Sequence, residues 1–137
     1  MLNDVIERNR DGLILVARVL LMVLFLAFGW SKLTNFGGTV GYMGSLGAPA
    51  PMLSAIIAVV MEVFVAIALI LGIFTRPLAL LFVLYTFGAA LIGHHYWTME
   101  GAEHMGNMIN FYKNVSIMGG LLLLAVTGPG KYAIMKK

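Results

Sequence analysis

A few ionisable side chains in this sequence stand where apolar neighbours leave them no water. Glu62 lies near the middle of the apolar run 52–74, and Arg18 lies inside the run 13–30. Lys32, His94, Asn110, Lys113 and Asn114 gather at the ends of such runs. A carboxylate beside a cation can hold or exchange a proton. Ammonium, amide and imidazole groups can hydrogen-bond the oxygens of an amphipathic ligand. At helical spacing Arg18, Met22, Phe25, Gly29 and Lys32 stay within about 40° of one line. The face of Glu62 carries Ala55, Ala58, Ala66 and Leu69, small residues that suit a helix–helix contact rather than lipid. Glu62 is therefore expected to point inward and to form a buried ion pair with Arg18, relieving the desolvation of both. Lys32 is about 21 Å further along by helix rise and is expected at the outer surface. There it would join His94, Asn110, Lys113 and Asn114 in a polar cap above a pocket floored by Glu62. Lys32, Glu62, His94, Asn110 and Lys113 are the ligand-binding candidates. The competing reading is a network that only fixes helix packing, with Lys113 and His94 snorkelling to the interface.

The stretch 94–110 holds all three histidines, His94, His95 and His104, together with several methionines. Imidazole and thioether together suit copper, so these three are the metal candidates. No HExxH, Cys/His box or EF-hand spacing accompanies them, and the expectation is no metal site. Three histidines are too few for a haem–copper centre, and none lies mid-span. There is no phosphate loop, nucleotide fingerprint or Ser-His-Asp spacing. With no cysteine, thiolate catalysis, iron–sulfur clusters and Cys-type zinc sites are excluded. A redox role would need a cofactor or partner from outside the chain.

The elements that must position these residues follow from composition. The 137 residues are 61% hydrophobic and 11% charged, against about 25% charged in soluble domains. Mean hydropathy is +0.94. The basic balance, net charge +3, resides at the termini and in one short loop, with no basic face for nucleic acid. Apolar stretches at 13–30, 52–74, 78–93 and 111–127 are each near the roughly 20 residues that cross a bilayer. A single all-α transmembrane domain over 1–137 is predicted, a four-helix bundle with helices at about 13–31, 52–74, 77–95 and 109–127. Arg76-Pro77 marks a tight turn between the second and third. The first run could serve as a signal peptide, but Arg18 within it and Trp30 after it argue against cleavage.

Lys and Arg near the helix ends set the orientation. Arg8, Arg10, Arg76, Lys131, Lys136 and Lys137 fall on one side, Lys32 and Lys113 on the other. Six against two places both termini in the cytoplasm of a multi-pass protein in the bacterial inner membrane. The first outer loop, 33–51, is glycine-rich and too short to span, and reads as a short interfacial helix or re-entrant turn.

The runs VARVLLMVLFLAFGWSKLTNF, YMGSLGAPAP, MEVFVAIALILGIFTRPLAL and NFYKNVSIMGGLLLLAVTGPGKY, in that order, carry a family likeness. Over about 13–132 the chain resembles the DoxX family of small four-helix bacterial membrane proteins. Within that family it is most similar to the subgroup labelled quinol oxidases. The pattern matches at Arg18, Gly29, Lys32, Glu62, Gly72, Arg76 and Lys113-Asn114; the stretch 96–108 is the least family-like. The resemblance implies a membrane subunit linked to quinone-dependent oxidase or oxidoreductase complexes, or to oxidative-stress partners. A family name is not a mechanism.

Three functional readings follow. The first is a quinone- or quinol-binding protein of a redox system, with quinone or quinol as its cofactor and no haem, Fe–S or nucleotide site of its own. The second is a non-catalytic scaffold whose outer loops dock a redox-enzyme partner. The third, small-molecule transport, is weaker, since four helices are few for alternating access unless the chain forms a homo-oligomer. All three share the lipid bilayer as partner and none involves nucleic acid.

Overall fold

A chain this apolar must satisfy its backbone internally, and helices do so within one segment. The computed structural model describes residues 1–136, and among them there is no strand. Lys137, counted above among the inner cations, lies outside the described residues. The helices are α1 (Leu2–Arg8), α2 (Arg10–Thr34), α3 (Phe36–Ser45), α4 (Pro51–Leu71), α5 (Thr75–Gly93) and α6 (Gly101–Thr127). A 3₁₀ turn at Tyr96–Thr98 links the last two. Helices α2, α4, α5 and α6 are long and apolar enough to cross a membrane, and α3 is the short helix of the first loop.

The bounds differ from the sequence reading in explicable ways. Helix α4 ends at Leu71, not 74, because Gly72 turns left-handed at φ 75°. Helix α6 begins at Gly101 rather than 109. Polar residues Glu103, His104 and Asn107 lowered the apolar signal there without breaking the helix.

Each span buries one stripe and leaves the rest apolar and outward. Helix α2 buries Arg18, Met22, Phe25 and Gly29, while α4 buries Ala55, Ala58, Glu62, Ala66 and Leu69 among others. Met22, Phe25, Leu69, Phe82, Leu121 and Leu124 form the centre, with Phe25 edge-on to Phe82 at 4.6 Å between ring centroids. Leu20, Leu84, Leu123 and Val126 are exposed, each at 67% or more, an arrangement that lipid satisfies and water does not.

Both termini lie at one end, which we call the terminal end. There Lys131 N donates to Asp11 Oδ1 at 3.2 Å, and Ile134 N and Met135 N donate to Leu71 O (2.9 Å) and Gly72 O (3.0 Å). The C-terminal segment thus satisfies carbonyls that α4 leaves open. Arg76 does the same for α6, donating from Nη1 to Val126 O at 3.0 Å.

At the opposite, far end, α3 folds back over the bundle. Thr39 Oγ1 donates to Lys32 O and Asn35 O at 3.1 and 3.0 Å, pinning α3 to the end of α2. Four glycines in α3 oppose helix formation by roughly 1 kcal/mol each, so tertiary contacts hold it.

Candidate functional site: a carboxylate at the wall of a membrane-depth cavity

Helices α2 and α4 approach closely because α2 presents Gly29 to Glu62. A Cβ on Gly29 would stand 2.7 Å from Glu62 Cβ and 2.8 Å from its carbonyl carbon. At that level α4 widens into a π-helix over Val60–Val65. Such segments inside α-helices are rare and frequently accompany functional positions. Glu62 is 6% exposed.

The expected Arg18–Glu62 pair does not form. Glu62 pairs with Lys32 instead, Nζ to Oε1 at 2.8 Å. Gly29 sets the level of Glu62, and Arg18 lies eleven residues toward the terminal end, about 16 Å by helix rise, beyond a guanidinium's reach. Lys32 is three residues from Gly29 and folds inward onto the carboxylate. It is thus half-buried in the bundle rather than at its surface. Arg18 is fully buried at the end of α4, where its Nη2 donates to Tyr132 O. Its Nε and Nη1 have no partner among the described residues.

The second carboxylate oxygen, Oε2, accepts from the Tyr85 hydroxyl. Tyr85 was missed by sequence reasoning. The usable signal was a tyrosine in mid-run 78–93, away from the interfaces where tyrosines normally anchor. Its ring packs edge-on against Phe82 at 5.7 Å, which fixes the hydroxyl toward α4.

Lys32, Glu62 and Tyr85 stand in the wall of a cavity of about 610 Å³. His94, Asn110, Lys113 and Asn114 line the same cavity, so all five sequence-derived ligand candidates converge on one space. Phe25, Phe28, Ile57 and Ala58 give it apolar walls, and Tyr42, Met43 and Leu46 of the α3 segment cover it. This size and mixture, mostly apolar with a few convergent polar groups, is that of small-molecule sites. Asn114 is buried and donates from Nδ2 to Thr86 O at 3.5 Å; Lys113 Nζ donates to Asn110 Oδ1 at 3.4 Å.

The histidines do not converge. His94 Nδ1 pairs with Asn107 Oδ1 at 2.9 Å, His95 Nδ1 with Thr98 Oγ1 at 2.7 Å, and His104 Nδ1 donates to Tyr96 O at 2.9 Å. Among the described residues no three His, Cys, Asp or Glu side chains are placed to hold one metal ion. His104 instead joins Tyr96, Trp97, Phe111 and Tyr112 in an aromatic cluster that closes the α5–α6 turn.

The DoxX family model matches residues 13–95, from α2 through α5, which include Lys32, Glu62 and Tyr85. The chain belongs to the DoxX family. This DoxX protein is 59% identical over 128 residues to inner membrane protein YphA of Escherichia coli K12, covering 93% of this chain and 91% of the relative. It is 40% identical over 128 residues to inner membrane protein YqjF of the same organism, with 93% of each covered. No solved structure matches the DoxX chain significantly.

Proposed function

We propose that the protein is a small inner-membrane protein that binds a quinone- or quinol-like amphipathic molecule in this cavity, within a quinone-linked redox system. The observation that carries the reading is the buried carboxylate of Glu62, held between Lys32 and Tyr85 at the wall of a largely apolar cavity of about 610 Å³. The placement in the inner membrane rests on the four spans together with the names of the two E. coli relatives.

The residues present suit such a head group. Lys113, Asn114 and His94 offer hydrogen-bonding groups for ring oxygens, and Phe25, Phe28 and Ile57 offer apolar contact for the ring and chain. A bound quinone supplies two-electron, two-proton redox chemistry; the chain supplies position, water exclusion and a carboxylate. Lys32 and the Tyr85 hydroxyl donate to the two oxygens of Glu62 and hold it at the cavity wall, where a carboxylate is the group able to accept a proton from a ligand hydroxyl.

Titration of the purified protein with a short-chain quinone, wild type against Glu62→Gln, tests this. Saturable binding that weakens about tenfold in the variant is expected, as for loss of one charge-assisted contact. Equal weak binding in both removes the reading. A redox enzyme that always co-purifies with quinone-free protein would favour the scaffold alternative.

A further inference from the structure

Charge accounting in the cavity gives a result the quinone reading does not contain. The single carboxylate among its described lining residues is Glu62, and both its oxygens are engaged, by Lys32 and Tyr85. Lys113 therefore has no ion-pair partner in the cavity, and Glu62, already paired with Lys32, acts on it only from a distance. Among the described residues its Nζ makes no ion pair, and its one hydrogen bond is the long contact to neutral Asn110 at 3.4 Å.

This cation is half-buried rather than fully exposed. It lies close to the midpoint of α6 (Gly101–Thr127), and Arg76 marks the terminal end of that helix at Val126, about 20 Å away by helix rise. A lysine drawn into a membrane span is costly unless it is paired. Beside it Asn114 is buried and anchored to Thr86 O, so α6 holds Lys113 at this level. A second groove of about 700 Å³ between α2 and α6 shares Lys113 and Leu24 with the cavity. Its walls of Leu20, Leu21, Ile117 and Leu124 are apolar, and at the terminal end the Glu7 and Arg10 charges sum to zero. Lys113 carries the net positive charge that both spaces share.

We infer that the cavity takes a ligand with a singly charged oxyanion on a lipophilic body, and that Lys113 is the residue that receives the anion. This deepens the proposed function and rests on it. An ionised hydroxyl on a quinone-type ring and a long-chain carboxylate share this chemistry.

The test uses two ligands of one shape. A 2-hydroxy-3-alkylnaphthoquinone is an anion near neutral pH, and its 2-methyl counterpart of equal chain length is neutral. Calorimetric titration of the full chain in lipid nanodiscs, with empty nanodiscs as blank, should give at least about tenfold tighter binding of the anion. Lys113→Gln should abolish the preference, lowering the anion's affinity about tenfold more than that of the neutral compound. Lys113→Arg should keep the preference. Dodecanoate competing with the anion in wild type, where dodecanol does not, extends the site to carboxylates; competition by neither limits it to ring oxyanions.

Equal affinity of the two naphthoquinones in wild type overturns the inference and leaves the quinone reading intact. A preference for the anion that survives Lys113→Gln also overturns it. Binding of neither compound overturns the quinone reading itself. Should Lys113→Gln fail to fold, the wild-type contrast and Lys113→Arg decide.

Discussion

Lys32 Nζ lies 2.8 Å from Glu62 Oε1, joining the last turn of α2 to the π-helical segment of α4 across thirty residues of chain. Both side chains are largely withdrawn, at 27% and 8% exposure. Removing one partner from such a pair leaves the other uncompensated, whereas removing both costs far less. Lys32→Met should lower stability by about 3 kcal/mol, and Lys32→Met/Glu62→Met should recover most of it. A double-mutant cycle on denaturation in micelles measures this, and additive losses would contradict the pairing.

Tyr85→Phe removes the hydroxyl that donates to Glu62 Oε2 and changes little else in shape. A loss of about 1–2 kcal/mol is expected from the unsatisfied carboxylate oxygen. Unchanged thermal stability would mean that the hydroxyl has no structural part in holding Glu62.

Two glycines should respond oppositely to alanine. Gly29→Ala places a methyl on Glu62 Cβ and backbone, so α2 and α4 must separate, at about 1–3 kcal/mol. Gly41 in α3 faces open space, and Gly41→Ala should gain up to about 1 kcal/mol from helix propensity. Melting temperatures of the two variants check the pair of signs.

Arg18 and Gly72 hold the C-terminal segment. Gly72 has φ 75°, and a side chain there would meet both Ala133 and the Arg18 guanidinium. Gly72→Ala should therefore destabilise by about 2 kcal/mol or more, from strain and overlap together. Arg18→Ala removes the donor to Tyr132 O. Limited proteolysis should then cut the segment after Pro129 faster than in wild type; equal rates would show that the tail is held without Arg18.

Arg8, Arg10, Arg76, Lys131 and Lys136 lie toward the terminal end, while Lys32 and Lys113 lie toward the far end or within the bundle. The positive-inside rule predicts the terminal end on the cytoplasmic side. Reporter fusions after residue 136 should be active as cytoplasmic enzymes, and fusions in the 94–100 turn as periplasmic ones. The reverse pattern would invert the assignment.

Much of the site was legible because membrane helices make polarity conspicuous. The buried stripe of α2 could be read from 4-3-4-3 spacing, and the small-residue face of α4 from its alanines. Lys32, Glu62, His94, Asn110 and Lys113 stood out as polar exceptions, and they do share one cavity. Tyr85 did not stand out, because a tyrosine in an apolar run reads as one more aromatic.

The sequence by itself determined that four helices form, which face of α2 and α4 turns inward, and that Arg18 and Glu62 are buried, since periodicity and hydropathy are local properties. Tertiary structure decided who meets whom. Pairing depends on the relative sliding of two helices, which no periodicity encodes. Contact at Gly29 set that slide, giving Glu62 to Lys32 and Tyr85 and leaving Arg18 to the C-terminal segment. By the same step Lys113 was left without an ion pair among the described residues.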